Sequence, residues 1–260
     1  MDIYLSSVAA GFGLIIGSFL NCLIWRLYKQ ESILGRSYCP ACRHLIAWFD
    51  NIPVVSFLRL RGRCRHCQAK IYWQYPLVEI ITAMFFWGLW QLHGANVILM
   101  PTEAVWSLLR DLLVVIFLIV VFVYDARWQL VPTFFVGLMG GLIFILNFYL
   151  GISWLSLLIY GVAGGGFFLI QYILTRRQGV GEGDIWLGVF LGLAFPHWPS
   201  LFLIVLVAYG LGAIVGLSLM AFRRKGWKSA IALGPFLAVG GAIALFFGDK
   251  IIYWYQGLLF

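Results

Sequence analysis

Leu112-Leu113-Val114-Val115-Ile116-Phe117-Leu118-Ile119-Val120-Val121-Phe122-Val123-Tyr124-Asp125-Ala126-Arg127 is an apolar run that stops abruptly on a carboxylate and a cation. Extended back to Ser107, it approaches the roughly 20 residues a helix needs to cross a bilayer. Runs of this kind follow one another along the chain, separated by short polar or Gly/Pro-containing stretches. The 260 residues are 63% hydrophobic and 11% charged, with a mean hydropathy of +0.95. Soluble domains average roughly 45 to 50% apolar and about 25% charged. The composition therefore places the chain in lipid, as an all-α polytopic bundle.

Spans are expected at roughly 3–25, 75–92, 107–124, 131–150, 153–174, 185–198, 200–222 and 230–248, with Pro196 and Pro199 making the sixth short or tilted. The run from Ile3 to Trp25 lacks a basic lead-in and a cleavage site, so it reads as a retained helix. The net charge of +8 might point to nucleic acid, but its location decides against that. Sixteen of the eighteen Lys and Arg residues lie in four connections: Arg26 to Lys70, Arg127, Arg176 and Arg177, and Arg223 to Lys228. With eight alternating spans, those four connections share one face. The positive-inside rule makes that face cytoplasmic and puts both termini outside the cytoplasm. Three parts follow: a first helix (1–25), a cytoplasmic insert (26–74) and a membrane domain (75–260). Gly13/Gly17, Gly137/Gly141, Gly161/Gly165, Gly188/Gly192 and Gly212/Gly216 each set two glycines on one helical face, as close helix packing in lipid requires.

The insert holds Cys39-Pro40-Ala41-Cys42 and Cys64-Arg65-His66-Cys67, twenty-one residues apart. Two such pairs can offer four thiolates tetrahedrally to zinc. Two disulfides or four free thiols are the alternative, but the basic insert faces a reducing compartment. Four thiolates leave no position open for water, so the metal supplies folding free energy to an insert too small to bury much core. Cys22, in the first helix, reads as a packed apolar residue. His44 and His66 flank the cysteines, either solvated or able to replace a thiolate. Arg59, Arg61, Arg63 and Arg65 alternate as on one face of a β-ribbon. Their charge sets topology, or else meets lipid phosphates or an acidic partner.

An ionisable group in a span costs about 2.5 to 3.5 kcal/mol on insertion scales unless it faces protein or water. Asp2, Glu31, Asp50, Glu103 and Asp249 fall in termini or loops. Glu79, Asp111, Asp125, Glu182 and Asp184 lie near or inside helices. Asp125 and Asp184, the latter in Gly181-Glu182-Gly183-Asp184, share the cytoplasmic membrane boundary. Two carboxyls brought together there can share one proton, one acting as acid while its ionised partner activates water. Gly181 and Gly183 allow a sharp turn and a close substrate approach. Taken singly, Asp184 could cap the following helix and Asp125 could pair with Arg127.

Together these motifs resemble the type IV prepilin peptidases, the bacterial leader peptidases of pilus and type II secretion systems. Gly17-Ser18-Phe19-Leu20-Asn21 before Arg26 is similar to the family's first-helix signature. Asn51-Ile52-Pro53, Ser56 and Leu60-Arg61-Gly62-Arg63-Cys64 fit its cysteine insert, and Tyr75-Pro76-Leu77-Val78-Glu79 continues it. Asp125 and Gly181 to Asp184 resemble the two catalytic aspartate motifs, and Leu233-Gly234-Pro235-Phe236 a late-helix signature. Trp186 stands where the family often has Lys, and Val131-Pro132-Thr133 where Ile-Pro-Asn/Asp is usual; both acids are intact. The resemblance implies cleavage of a basic leader after glycine and before an apolar residue, at the cytoplasmic membrane face. It also implies N-methylation of the new terminus from S-adenosylmethionine, an activity associated with the insert, for which Asp50 and Glu79 are candidates. Prepilin or pseudopilin precursors and membrane lipids are the implied partners. An ion-coupled transporter and a non-catalytic zinc-bearing scaffold are the rival readings, although no internal repeat of the transporter kind is present.

Overall fold

The computed structural model describes residues 3–99, 101–176, 179–221 and 232–259. Arg177 and the basic connection from Arg223 to Lys228 lie outside the described residues. Helices make up most of what is described: α1 (Ile3–Lys29), a short α2 (Val55–Arg59), α3 (Gln74–Leu99), α4 (Pro101–Trp128), α5 (Thr133–Tyr149), α6 (Trp154–Leu174), α7 (Glu182–Ala194), α8 (Trp198–Ala221) and α9 (Gly234–Leu259). α1, α4, α6, α8 and α9 are long and apolar enough to cross a membrane, and α5 is a shorter apolar helix. The chain is a multi-pass membrane protein. Helix ends follow local chemistry. Arg26 and Lys29 occupy the last turn of α1, where cations complement the helix dipole. The Ser153 hydroxyl caps α6 by accepting from Ser156 N–H, and Pro235 sits in the first turn of α9, where its missing donor costs nothing.

The chain forms two compact units, Met1–Ala104 and Val105–Phe260. In the first, α1 and α3 run antiparallel in a fixed register. Gln91 donates to Ser6, Gly13 abuts Ala83, Gly17 abuts Glu79, and Asn21 donates to the Tyr75 carbonyl. A Cβ on Gly17 would lie 2.7 Å from the Glu79 Cα, so the glycines set how closely the two backbones approach. α3 thereby belongs with α1, although the sequence groups it with the later spans.

In the second unit α4 is the most buried of the membrane-spanning helices. Val114, Val115, Phe117, Leu118, Val120 and Val121 are all buried, as expected of a helix apolar on every side. Phe117 stacks on Phe190 of α7, centroids 3.4 Å apart, and lies parallel to Phe135 of α5. α6 and α7 interlock through glycines: a Cβ on Gly164 would lie 2.2 Å from the Gly188 carbonyl oxygen, and one on Gly192 would lie 2.0 Å from that of Tyr160. Gly161/Gly165 and Gly188/Gly192 thus act as expected, with Gly164 a further member of the seam. Gly137 and Gly141 meet nothing among the described residues, so that pair forms no seam with them.

Two other expectations need correction. The alternating arginines do not form a β-ribbon: Arg59 ends α2, Arg61 and Gly62 turn through positive φ, and only an isolated bridge joins Arg63 to Lys70. Glu103 and Asp249 lie on α4 and α9 rather than in loops, both exposed to solvent.

Candidate active site

Asp125 occupies the last turn of α4 and Asp184 the first turn of α7, and both are buried. Each is held by one backbone donor. Gly234 N–H, at the start of α9, donates to Asp125 Oδ2 at 2.9 Å; Gly181 N–H donates to Asp184 Oδ2 at 2.8 Å. Each carboxylate therefore meets a helix N-terminus, where unpaired N–H groups favour negative charge. The two acids lie close enough for Asp125 to feel the charge of Asp184. Among the described residues, neither has a second protein donor, which leaves one oxygen of each uncommitted. Phe117, Leu118, Val121, Leu187 and Leu191 line an apolar pocket that reaches Gly234.

Asp184 is not the N-cap of α7, a place Gly181 holds; it is the third helical residue, and its side chain reaches back to accept the Gly181 N–H. Gly181 has φ −83°, and Gly183 lies inside the helix, so neither supplies a turn that only glycine could make. Gly183 is needed for another reason. A Cβ there would lie 2.5 Å from Val131 Cγ2, so the close approach is by this chain's own side chain. Val131 is one of three positions that depart from the family pattern; Thr133 begins α5, and Trp186 is exposed. The Arg127 guanidinium lies 5.0 Å from the ring of Trp128. One site residue carried no sequence signal for its role: Gly234 acts through its backbone.

In the first unit, Cys39, Cys42, Cys64 and Cys67 bring all four sulfurs within 4.8 Å of one another. The two turns are near-copies. Cys39 N–H donates to the His44 carbonyl and Arg43 N–H to that of Cys39; Cys64 N–H donates to Ala69 and Gln68 N–H to Cys64. Arg43 and Gln68, at matching positions, both have positive φ, and bridges Tyr38–Leu45 and Arg63–Lys70 close both turns. Zinc–thiolate bonds of about 2.3 Å require sulfurs about 3.8 Å apart in a tetrahedron. Cys39 and Cys67 are separated by 3.8 Å, so the donor set fits such an ion. The Cys67 and His66 backbone N–H groups hold the Cys64 thiol down at about 7. For Cys67, the pull of the Ala69 N–H is outweighed by burial and the neighbouring sulfurs, which push it up to about 11. His44 and His66 lie against each other, centroids 3.4 Å apart and rings tilted by 34°, and neither belongs to the sulfur cluster.

Asp50 and Glu79 have different surroundings. Arg65 grips Asp50 with two N–H···O bonds, at 2.7 and 2.6 Å, and Arg59 adds its charge at 3.8 Å; the Arg65 pairing holds the Asp50 carboxyl below the usual range. Glu79 is buried between α1 and α3, accepting from Val54 N–H at 2.7 Å and from the Ser18 hydroxyl. Arg26, also buried, donates to the carbonyls of Ile33, Gly35 and Arg36, tying the start of the insert to α1.

Two family models match the chain. "Bacterial Peptidase A24 N-terminal domain" covers residues 12–92 and "Type IV leader peptidase family" covers 112–217. A protein named prepilin leader peptidase/N-methyltransferase from Aeromonas salmonicida is 34% identical over 94% of this chain and 91% of its own length. Namesakes from Pseudomonas putida (34% identical, 95% of this chain and 92% of the relative) and Pseudomonas aeruginosa (33%, 92% and 89%) are similar over the same extent. No solved structure matches. With both halves matched and this identity sustained over nearly the whole length, the chain belongs to the type IV leader peptidase family.

Proposed function

We propose that this membrane protein is an aspartic endopeptidase that removes the leader from prepilins or pseudopilins and N-methylates the new terminus, with Asp125 and Asp184 as the acid–base pair. The observation that carries the assignment is the pair itself: two buried carboxyls from α4 and α7, each anchored by one backbone N–H and each with one oxygen that meets no protein donor among the described residues. One carboxylate takes a proton from water as the water oxygen bonds to the scissile carbonyl carbon. The protonated partner shares its hydrogen with the developing oxyanion. As the C–N bond breaks, the proton taken from water passes to the leaving amine, so the pair ends the cycle with the single proton it began with.

The basic connections face the cytoplasm and both termini lie outside it, as the positive-inside rule indicates. Cys39, Cys42, Cys64 and Cys67 hold one structural zinc; when bound, it cross-links the two turns and leaves no open position for chemistry. The N-terminal unit takes S-adenosylmethionine as methyl donor, with Asp50 and Glu79 as candidate acids for that step.

Incubating membranes that contain the chain with a basic-leader pilin precursor tests the assignment, with mass analysis of the product. Asp125→Asn and Asp184→Asn should each lower cleavage by about 10²- to 10⁴-fold, the usual contribution of a positioned acid or base. Cleavage at the wild-type rate by either variant rejects the pair. Asp50→Asn and Glu79→Gln should leave the cleaved terminus unmethylated; full methylation by both removes them from that role.

A further inference from the structure

Outside both sites, the insert carries a basic and aromatic surface that the proposed peptidase chemistry does not use. Its position is fixed by Glu79. That buried carboxylate, five residues into α3 and so about 7 to 8 Å along it, accepts the N–H of Val54, the residue that opens α2. Val54 has φ +60°, a costly conformation for a β-branched residue, and it turns the N–H toward the glutamate. Two further contacts hold α2 against the start of α3. Phe57 packs on Trp73 with centroids 4.9 Å apart, and Ile71 N–H donates to the Gly62 carbonyl.

The exposed stripe of α3 gives the depth. Leu77, Ile80 and Met84 recur at helical spacing and are open to the surroundings, as lipid-facing residues of a membrane helix are. Glu79 lies between the first two in sequence and against Gly17 of the membrane-spanning α1, so α2 is pinned at the depth of that helix. On α2, Ser56 points inward, its hydroxyl donating to the Phe49 carbonyl, while Val55 and Leu58 are 56% and 65% exposed. Trp73 and Tyr72, beside them, are 69% and 63% exposed. Amphipathic aromatic rings of this kind favour the headgroup level.

Charge identifies the occupant. From residue 30 to 73 the chain has seven basic side chains and two acids. Both acids are engaged, Glu31 by the Tyr38 hydroxyl and Asp50 by Arg65. Arg59, Arg61, Arg63 and Lys70 remain exposed around the apolar patch. A basic peptide leader would be repelled there, whereas an anionic leaflet is attracted by about 1 kcal/mol per basic residue near its surface. We propose that α2 and the Tyr72–Trp73 pair that leads into α3 form an interfacial anchor that seats the insert in an anionic phospholipid leaflet. Val55 and Leu58 enter the headgroup–acyl boundary while Arg59, Arg61 and Arg63 meet lipid phosphates.

The test is hydrogen exchange on the full-length protein reconstituted in vesicles of phosphatidylcholine alone or with about 30% phosphatidylglycerol. Amides of residues 54–63 should exchange about tenfold more slowly in the anionic vesicles, with the difference shrinking in high salt. Leu58→Glu should abolish the difference. Unchanged protection of the Cys39 and Cys64 amides shows that the insert remains folded, and a double Arg61→Gln/Arg63→Gln variant on exposed positions repeats the test should Leu58→Glu unfold it. Equal exchange in the two vesicles overturns the proposal. So does protection that appears only when a pilin precursor or a soluble acidic protein is added, because the surface then serves that partner.

Discussion

Gly234 N–H donates to Asp125 Oδ2 at 2.9 Å, joining the last turn of α4 to the first residue of α9 across 109 positions of sequence. A methyl group on Gly234 would lie 2.5 Å from that same oxygen, so alanine cannot be accommodated without moving the carboxyl or the helix start. Displacement of a reacting group by about 1 Å commonly costs about 10²-fold in rate. Gly234→Ala should lower precursor cleavage by about that factor, with helix content by circular dichroism unchanged; wild-type turnover would show that the bond does not position Asp125.

The α6–α7 seam makes a prediction about stability. At Gly164 a Cβ meets the Gly188 carbonyl oxygen at 2.2 Å, and backbone cannot yield as a flexible side chain can. Overpacking of this kind costs typically about 1 to 3 kcal/mol. Gly164→Val should therefore lower the unfolding midpoint in mixed micelles, whereas Gly137→Ala, which meets open space, should leave it in place.

Elemental analysis of protein purified without chelators should give about one zinc per chain, the stoichiometry of a closed four-thiolate site. Cys39→Ser or Cys67→Ser should empty it and speed proteolysis of residues 36–70, because the metal's binding free energy is the insert's folding free energy. A wild-type chain that is zinc-free and equally protected would reject the site.

The Asp50–Arg65 pair sets a pH dependence. Arg65 lowers the Asp50 carboxyl in the folded insert, so the pair's stabilisation is present above the unfolded value of about 4 and is lost as pH falls through the lower folded value. Arg65 is 42% exposed, and solvent screening keeps the effect small. Proteolytic protection of the insert should be flat from about pH 8 to pH 5 and decline only in more acidic solution. Asp50→Asn should shrink that acid-side decline without abolishing it, because protonation of the four thiolates also loosens the insert in acid, and should slightly lower protection at neutral pH.

Much of this architecture is legible in the residues because lipid leaves few options: long apolar runs become helices, and Asp125 is conspicuous at the end of one. Pro196 correctly marked the sixth span as short, but its boundaries shifted from 185–198 to Glu182–Ala194, because the Asp184 side chain caps Gly181 and begins the helix earlier. The alternating arginines imitate a strand because charge alternates there, while the positive φ of Arg61 and Gly62 that turns the chain leaves no mark in charge pattern. Leu233 to Phe236 could be noticed as a motif, yet its contribution to the site is a backbone N–H, which every residue but proline carries. Spacing also paired the glycines without showing which faces meet a neighbour, so Gly164 was missed and Gly137 overvalued.

The thirteen residues of α7 rise only about 20 Å, roughly 10 Å less than the hydrocarbon thickness of a bilayer. A membrane accommodates so short an element by thinning or by letting the aqueous phase reach its ends. Hydrolysis in oil has a supply problem, since every turnover consumes a molecule that the surroundings exclude. An abbreviated helix carrying a carboxylate in its first turn shortens the journey that molecule must make.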